Sequence, residues 1–187
     1  MSLPVTPSQT VGPFYRIGLE YRFKDCLCEE DVPGERITIA GTIYDGQGVP
    51  VPDALLELWQ ADYKGVYPGV AYQDELATAG FAGFARVPVD DAGRFRFRTI
   101  KPGAVTAPAN FTQAPHIVVL VFLRGILRHL HTRIYFPDSM NDVDPVLQAV
   151  PAHRRSTLIA TPAEGGSGEY LWNIHLQGGD ETVFFAY

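Results

Sequence analysis

The feature that most constrains the fold is a strand–turn–strand unit over residues 36–60. Its first segment, RITIAGTIYD, has alternating character and places four residues on one face: Ile37, Ile39, Gly41 and Ile43. The turn DGQGVPVPD follows, and then ALLELWQ, in which Leu56, Leu58 and Gln60 oppose Leu55, Glu57 and Trp59. Alternation on both sides of a Gly- and Pro-containing turn is the typical pattern of a β-hairpin. The chain is therefore expected to be built from strands.

The rest of the chain repeats this pattern. Its 18 glycines and 15 prolines lie between short apolar runs, which is typical of an all-β protein with many turns. DDAGRFRFRT predicts a turn and a strand, and the continuous apolar run PHIVVLVFLRG predicts a strand buried on both faces. GEYLWNIHLQG and ETVFFAY predict two final strands. About eight strands at this spacing indicate a two-sheet β-sandwich with long loops.

Few other elements are expected. Residues 1–35 lack periodicity and predict an extended N-terminal arm, which leaves residues 36–187 for the sandwich. The long connection 61–83 includes one possible helical turn, over Gln73–Ala79. DPVLQAV predicts a short helix with Asp144 as its N-cap and Pro145 at its first position.

Composition excludes several classes of function. A net charge of −6 and a pI near 5.3 argue against a nucleic-acid-binding protein, which would need a basic surface. The longest apolar stretch, Ile117–Leu123, is too short to cross a bilayer, and the N-terminus lacks the pattern of a signal peptide. Cys26 and Cys28 are too close in sequence for an unstrained disulfide, so reduced thiols and a cytoplasmic location are expected.

His129 and His131 are the most suggestive candidates for chemistry. Alternate residues on a strand project from one face, so both imidazoles should share a face with Arg133. Two histidines on a strand suit a metal ion, but an adjacent guanidinium does not. We call His129, His131 and Arg133 the histidine stripe. Three interpretations remain open for it: a polar surface, an anion site that binds a carboxylate, and a metal site.

Two further residues are candidates with less specific patterns. His116 begins the most apolar strand, where a lone histidine is usually structural. Tyr67 lies in the long loop after Gly65, whereas the other tyrosines read as core and turn residues. Neither a phosphate-binding loop nor a Ser–His–Asp motif is present.

Segments distributed along the whole chain resemble the intradiol ring-cleaving dioxygenases. They occur in the family's order and are TPSQTVGPFY (6–15), GTIYDGQGVPVPDALLELWQAD (41–62), GRFRFRTIKPG (93–103), APHI (114–117), HLHTRIYF (129–136), RRSTLIA (154–160) and GGDETVFFAY (178–187). The resemblance implies a prealbumin-like sandwich core. It also implies a non-haem Fe(III) enzyme, in which two Tyr and two His bind the iron and a catecholate is activated for attack by O2 between its hydroxyls.

Matched position by position, the ligand set is incomplete in this chain. Tyr67 and His116 match one tyrosine and one histidine, but Val105 and Val118 occupy the other two positions. Gln113 replaces the arginine that begins the family's R-P-x-H-x-H pattern. The resemblance therefore implies a vestigial site, with no metal bound by this chain and no catalytic residue in it.

The resemblance further implies that this chain is an alpha-type subunit and that a homologous beta subunit carries the Fe(III). The pair would cleave protocatechuate, a carboxylated catechol, with O2. Five residues would then contact the substrate from this chain: Thr10, Gly12, Pro13, Tyr15 and Arg133. Two rival hypotheses stay open, a prealbumin-like interaction module without activity and a metalloenzyme that uses His129 and His131.

Overall fold

The computed structural model describes residues 4–69, 78–106, 111–164 and 168–186, and within them the chain is an all-β sandwich, as predicted. The strands are β1 (Arg36–Tyr44), β2 (Leu55–Gln60), β3 (Phe84–Pro88), β4 (Arg94–Ile100), β5 (Val105–Thr106), β6 (Thr112–Gln113), β7 (His116–Phe122), β8 (Leu130–Tyr135), β9 (Thr161–Pro162), β10 (Glu169–Leu171) and β11 (Ile174–His175). The α-helices are α1 (Phe14–Ile17) and α2 (Pro145–Ala149), and the 3-10 helices are Glu20–Arg22, Ser139–Asp142 and Ala152–Leu158.

Two sheets form the sandwich. In the first, β1 pairs with β4 along one edge and with β10 and β11 along the other, and β9 follows β10. In the second, the order is β3-β2-β7-β8 with every pair antiparallel. A separate two-stranded ribbon joins β5 to β6. This ribbon lies between β4 and β7 in the sequence, and it carries one of the sequence-predicted ligand positions.

The core forms where the alternating faces of the two sheets meet. Its members include Ile37, Ile39, Ile43, Leu56, Leu58, Phe95, Phe97, Ile117, Val119 and Val121, all at most 3% exposed. The members from β1 and β2 each belong to one of the two faces that the alternation predicted for those strands. Each such side chain stabilises the fold by about 1.5–3 kcal/mol through burial.

The prediction that the most apolar strand is buried on both faces is wrong. In β7 the inward residues are buried, but Val118, Leu120 and Phe122 on the other face remain half-exposed. The adjacent Trp59 of β2 is 44% exposed. The second sheet therefore has an apolar outer face that the described part of this chain covers only in part.

The C-terminal segment also differs from its prediction. ETVFFAY forms no strand up to Ala186, the last residue described. Instead, the amide of Thr182 donates to the carbonyl of His175 at 2.9 Å, and that of Phe185 donates to the carbonyl of His131 at 2.8 Å. The segment thus links the edges of the two sheets. It does so through single backbone hydrogen bonds, because a continuous ladder of hydrogen bonds would pair it with one sheet alone.

The predicted short helix is confirmed as α2. The Asp144 carboxylate accepts hydrogen bonds from the amides of Val146 and Leu147, both at 2.8 Å, and Pro145 occupies the first turn. The helical turn expected over Gln73–Ala79 lies largely outside the described residues. Among those described, no helix has the length and apolar character required to cross a membrane.

The loop after β2 is organised by the buried carboxylate of Asp62. One oxygen accepts from the amides of Lys64 and Val66 at 2.8 and 3.0 Å, and the other accepts from the hydroxyl of Thr78 at 2.6 Å. Gly65 lies within this turn at a φ of +84°, and a Cβ there would overlap the carbonyl oxygen of Ala104. The close approach brings the loop that carries Tyr67 against the start of β5.

We expect Gly65→Ala to destabilise the chain more than Gly48→Ala, measured as the free energy of unfolding in urea. Gly48 also has a positive φ, +77°, but open space surrounds it. The Gly48 variant should lose about 1–2 kcal/mol from backbone conformation alone. The Gly65 variant should lose at least about 1 kcal/mol more, because the backbone must move away from Ala104. Equal losses would show that the approach to Ala104 is not a constraint.

Candidate functional site

Four segments converge at one end of the second sheet, where β7 begins and β8 ends. The loop after β2 carries Tyr67 to His116, the first residue of β7. Val118 lies two residues further along β7 and pairs directly with Arg133 of β8. Val105 pairs with Gln113 across the β5–β6 ribbon. We call these residues the vestigial cluster. Its members are Tyr67, Val105, Gln113, His116, Val118 and Arg133, together with Tyr135 and Asp144, which are described below.

The two remaining ligand-type side chains are bound to each other. The Tyr67 hydroxyl lies 3.2 Å from Nε2 of His116, and Nδ1 of His116 lies 2.7 Å from the carbonyl oxygen of Ala114. A carbonyl can only accept, so Nδ1 carries the proton and Nε2 accepts from Tyr67. The lone pair of His116 that would bind a metal is thus engaged by a hydroxyl.

Arg133 joins the cluster through its Nη1 atom. That nitrogen donates to Oε1 of Gln113 at 2.6 Å and to the hydroxyl of Tyr135 at 3.3 Å. The Tyr135 hydroxyl in turn donates to the fully buried carboxylate of Asp144 at 3.3 Å. A chain of hydrogen bonds therefore runs from the N-cap of α2 to the guanidinium.

Burial controls the proton affinities in the cluster. Desolvation, assisted by the charge of Arg133, lowers the pKa of His116 to about 4. Desolvation also raises the pKa of Tyr135 to about 12 and raises that of Tyr67, and in both cases Arg133 acts in the opposite direction. The imidazole and the two phenols are therefore neutral at neutral pH, and the charged side chains of the cluster are the Arg133 guanidinium and the Asp144 carboxylate.

The arm residues lie at the other end of the same sheet. The hydroxyl of Thr10 accepts from the amide of Gly125 at 2.9 Å. The hydroxyl of Tyr15 donates to the carbonyl oxygens of Asp53 and Phe122, the latter at 3.2 Å. Four residues separate Val118 from Phe122, about 13 Å at ~3.3 Å per residue. The structure thus places the arm and the vestigial cluster apart within this chain.

Gly12 and Pro13 complete the arm's exposed stretch. Pro13 is the N-cap of α1, and the carbonyl of Gly12 accepts from the amide of Tyr15 at 3.2 Å. Arg16 in α1 forms an ion pair with Asp53 at 2.9 Å. The arm is therefore fixed to the sandwich on one side and presents Thr10, Gly12 and Pro13 to solvent on the other.

His129 and His131 contact each other in the structure. Nε2 of His129 lies 2.8 Å from Nε2 of His131, and the ring of His129 stacks on Phe122. These residues line a cleft of 470 Å³ between the arm, the β7–β8 connection and the C-terminal segment. Burial and the charge of His129 lower the pKa of His131. Arg133 contacts Gln113 and Tyr135, and its guanidinium also lies over the ring of Phe185, another residue of the cleft.

No group of three or more His, Cys, Asp or Glu side chains converges as a metal site in the described ranges. His129 and His131 supply two nitrogen donors, whereas catalytic metal centres of the His-rich type have at least three protein ligands. The hypothesis of a self-contained metalloenzyme built on this pair has no further support in the structure.

Tyr135 and Asp144 were missed as members of the cluster by sequence reasoning. Tyr135 continues the alternation of His129, His131 and Arg133, and this periodicity could have placed it on the same face. Asp144 was predicted only as a helix cap. Its contact with Tyr135 depends on how α2 packs against β8, which carries no local sequence signal.

Comparison with known proteins identifies the family. A family profile described as Dioxygenase matches residues 12–178. The protocatechuate 3,4-dioxygenase alpha chain of Burkholderia cepacia is 42% identical, and the match covers 98% of this chain and 98% of that protein. The chain belongs to the intradiol dioxygenase family. The resemblance inferred from sequence motifs is confirmed.

Two other relatives extend the comparison. The protocatechuate 3,4-dioxygenase beta chain of Burkholderia cepacia is 37% identical, with 96% of this chain and 78% of that protein covered. The solved dioxygenase domain of a carbohydrate-binding fusion protein from Streptomyces sp. SirexAA-E has a TM-score of 0.64 and 26% identity, covering 84% of this chain and 89% of that one. This intradiol dioxygenase chain thus has relatives of both subunit types.

The family implies Fe(III), but the residues of this cluster do not fit it. A ferric ion in this family is held by hard phenolate oxygens and imidazoles, as the sequence resemblance implies, and anionic oxygen ligands suit such an ion. Here the two donors that remain bind each other, and valines take the other two positions. The guanidinium of Arg133 adds positive charge beside them. No catalytic step is therefore assigned to iron in this chain.

We expect the stability of the chain to fall steeply below neutral pH because of His116. The unfolded imidazole has a pKa near 6.5, and the folded pKa is about 4. Between these values the unfolded chain binds more protons, so the free energy of unfolding decreases as the pH falls, by about 3 kcal/mol in total. His116→Gln should remove this component of the pH dependence, measured by urea unfolding from pH 7 to pH 4.

His153, an exposed histidine, provides the matched control. His153→Gln should retain the wild-type loss of stability on acidification. If His116→Gln shows the same pH dependence as the wild type, the imidazole is not held neutral by burial.

Proposed function

We propose that this chain is the alpha subunit of a protocatechuate 3,4-dioxygenase. With an iron-bearing beta subunit it would take part in the O2-dependent cleavage of protocatechuate, between the two hydroxyls, to 3-carboxy-cis,cis-muconate. The observation that carries the proposal is the vestigial cluster, in which Tyr67 and His116 satisfy each other and Val105 and Val118 offer no donor. Full-length similarity to an alpha chain supports the same assignment.

In this proposal the Fe(III) and the ring-cleaving chemistry belong to the beta subunit. When bound there, the ferric ion would activate the catecholate for reaction with O2. The present chain contributes walls and charge to the pocket and binds no metal. It would be inactive by itself.

The exposed apolar surfaces support assembly with a partner. The outer face of the second sheet presents Trp59, Val118 and Leu120 to solvent. On the arm, Phe14, Ile17 and Tyr21 are 60–76% exposed. Contiguous exposed apolar side chains of this kind mark interaction surfaces. We infer that residues 1–35 pack on the beta subunit and that residues 36–187 form the sandwich that carries the outer face.

The arm is suited to shaping a pocket in the partner. Thr10, Gly12 and Pro13 are exposed, while Tyr15 fixes the segment to Asp53 and Phe122. Because the backbone is anchored on one side, its exposed side is held in a defined position. We propose that these four residues contact the substrate or the wall beside it.

Arg133 is proposed as the residue that recognises the carboxylate of protocatechuate. Its guanidinium is half-buried on the outer face of the second sheet, the surface assigned above to the partner. Charge-assisted hydrogen bonds between a guanidinium and a carboxylate are among the strongest polar contacts. The contact would favour protocatechuate over catechol, which lacks the carboxylate.

We also infer a cytoplasmic location. Both cysteines are free thiols, and stable disulfides are typical of oxidising compartments.

The isolated chain should be colourless and free of iron, whereas coexpression with its beta subunit should give one coloured complex that cleaves protocatechuate. Phenolate-to-iron charge transfer requires the ligand set that Val105 and Val118 interrupt. Gel filtration, iron analysis and visible absorption test both statements. Stoichiometric iron with a visible band in the isolated chain, or two separate species after coexpression, would contradict the assignment.

Arg133→Ala in the assembled enzyme should lower kcat/KM for protocatechuate by about 10- to 150-fold, the equivalent of about 1.5–3 kcal/mol for a charged hydrogen bond. Catechol turnover should change much less. Arg124→Ala, which removes an exposed arginine paired with Asp53, is the control and should affect both substrates equally and weakly. An equal loss for both substrates in Arg133→Ala would assign Arg133 to folding or assembly instead.

A further inference from the structure

We propose that the Arg133 guanidinium occupies the electrostatic role of the missing metal in the vestigial cluster and thereby excludes cations from it. Val105 and Val118 provide no metal ligands, but the main barrier to metal binding is the positive charge of Arg133. Restoring a tyrosine at position 105 and a histidine at position 118 would therefore not restore metal binding while Arg133 is present. This inference concerns the isolated chain and does not depend on the proposed function.

The geometry ties Arg133 to both positions that lack a ligand. Arg133 and Val118 are direct cross-strand partners in the β7–β8 ladder, so their side chains project from the same face as neighbours. The guanidinium then reaches Gln113 at 2.6 Å, and Gln113 is the ladder partner of Val105. The guanidinium side chain thus extends from the position of one missing ligand towards that of the other.

The remaining ligand-type residues lie within the field of the same charge. Arg133 adds to the lowering of the pKa of His116 by burial and opposes the raising of the pKa of Tyr67 by burial, whereas Asp144 acts on His116 in the opposite direction. A cation placed between these two side chains would meet the guanidinium as a like charge at short range. Water screens such repulsion poorly here, because His116 is only 2% exposed.

The Arg133 guanidinium is linked to the buried carboxylate of Asp144 through the hydroxyl of Tyr135. Asp144 is fully buried and accepts from the amides of Ala114, Val146 and Leu147. It also accepts a hydrogen bond from the hydroxyl of Tyr135. The oxygen of that hydroxyl in turn accepts a hydrogen bond from Nη1 of Arg133. Moving Arg133 aside to admit a metal would break this network and the bond to Gln113. Displacing the guanidinium would therefore break at least two hydrogen bonds.

Gln113 provides a neutral acceptor for the Arg133 guanidinium. In the family pattern an arginine stands at this position, as the sequence resemblance implies, and here a neutral amide oxygen accepts from Arg133 instead. A second arginine at 113 would place two guanidinium groups together. The substitution at 113 and the placement of Arg133 are therefore complementary.

The test compares three variants of the isolated chain. The first is Val105→Tyr with Val118→His, the second adds Arg133→Met, and the third adds Arg133→Lys to the same pair. Methionine retains much of the length of arginine without the charge, and lysine keeps the charge. Each is incubated with Fe(III) citrate, desalted, and analysed for iron and for a phenolate-to-iron absorption band. Circular dichroism checks the fold.

We expect the Met variant to retain at least tenfold more iron than the other two, and to be coloured. If the double variant with Arg133 intact retains as much iron as the Met variant, the proposal is overturned. It is equally overturned if none of the three retains iron, because removal of the charge then fails to open the site. Iron in the Lys variant at the level of the Met variant would show that shape, not charge, is the barrier.

A milder pair of variants covers the case in which a tyrosine at 105 disrupts the fold. Val118 is half-exposed, so Val118→His should be tolerated. It creates a second imidazole on the face of His116, two residues away. With Co²⁺ as the probe, Val118→His plus Arg133→Met should show a visible cobalt spectrum, and Val118→His alone should not. Spectra that are equal, or absent in both, count against the proposal.

Discussion

The buried carboxylate of Asp144 joins the elements on which the site depends. It caps α2, accepts from the amide of Ala114 just before β7, and receives the hydroxyl of Tyr135 at the end of β8. The carbonyl of Ala114 sets the tautomer of His116, and Tyr135 holds Arg133. An unpaired charge in this position would be strongly unfavourable. Its four hydrogen bonds make the helix, the start of β7 and the end of β8 a single unit.

The vestigial cluster illustrates how polar groups with little access to water satisfy one another. His116, only 2% exposed, is too buried to rely on water, and an unmade hydrogen bond there would be unfavourable by about 1–3 kcal/mol. Tyr67 and His116 satisfy each other at 3.2 Å. Val105 and Val118 fill space with methyl groups and need no partners. The result is a packed hydrogen-bonded site in place of a coordination site.

Local patterns could predict much of the fold but little of the cluster. Alternation along β1 and β2 was sufficient to sort their residues into two faces, and Asp144–Pro145 was sufficient to begin α2. The ladder partners Val118–Arg133 and Val105–Gln113 depend on strand register between distant segments. The family motif could place four ligand positions in the sequence, but the contacts of Tyr135 with Arg133 and Asp144 follow only from packing.

The wrongly predicted burial of β7 is informative about how the chain is completed. A continuous apolar run predicts burial on both faces, and β7 has such a run because both of its faces carry apolar side chains. In the described part of this chain the inner face is fully covered, whereas the outer face is covered only in part and presents a row of Trp59, Val118 and Arg133 across three strands. A run of this composition is therefore consistent with burial on both faces once a second protein is counted. If the proposed beta subunit packs on this face, the sequence pattern describes the assembled state.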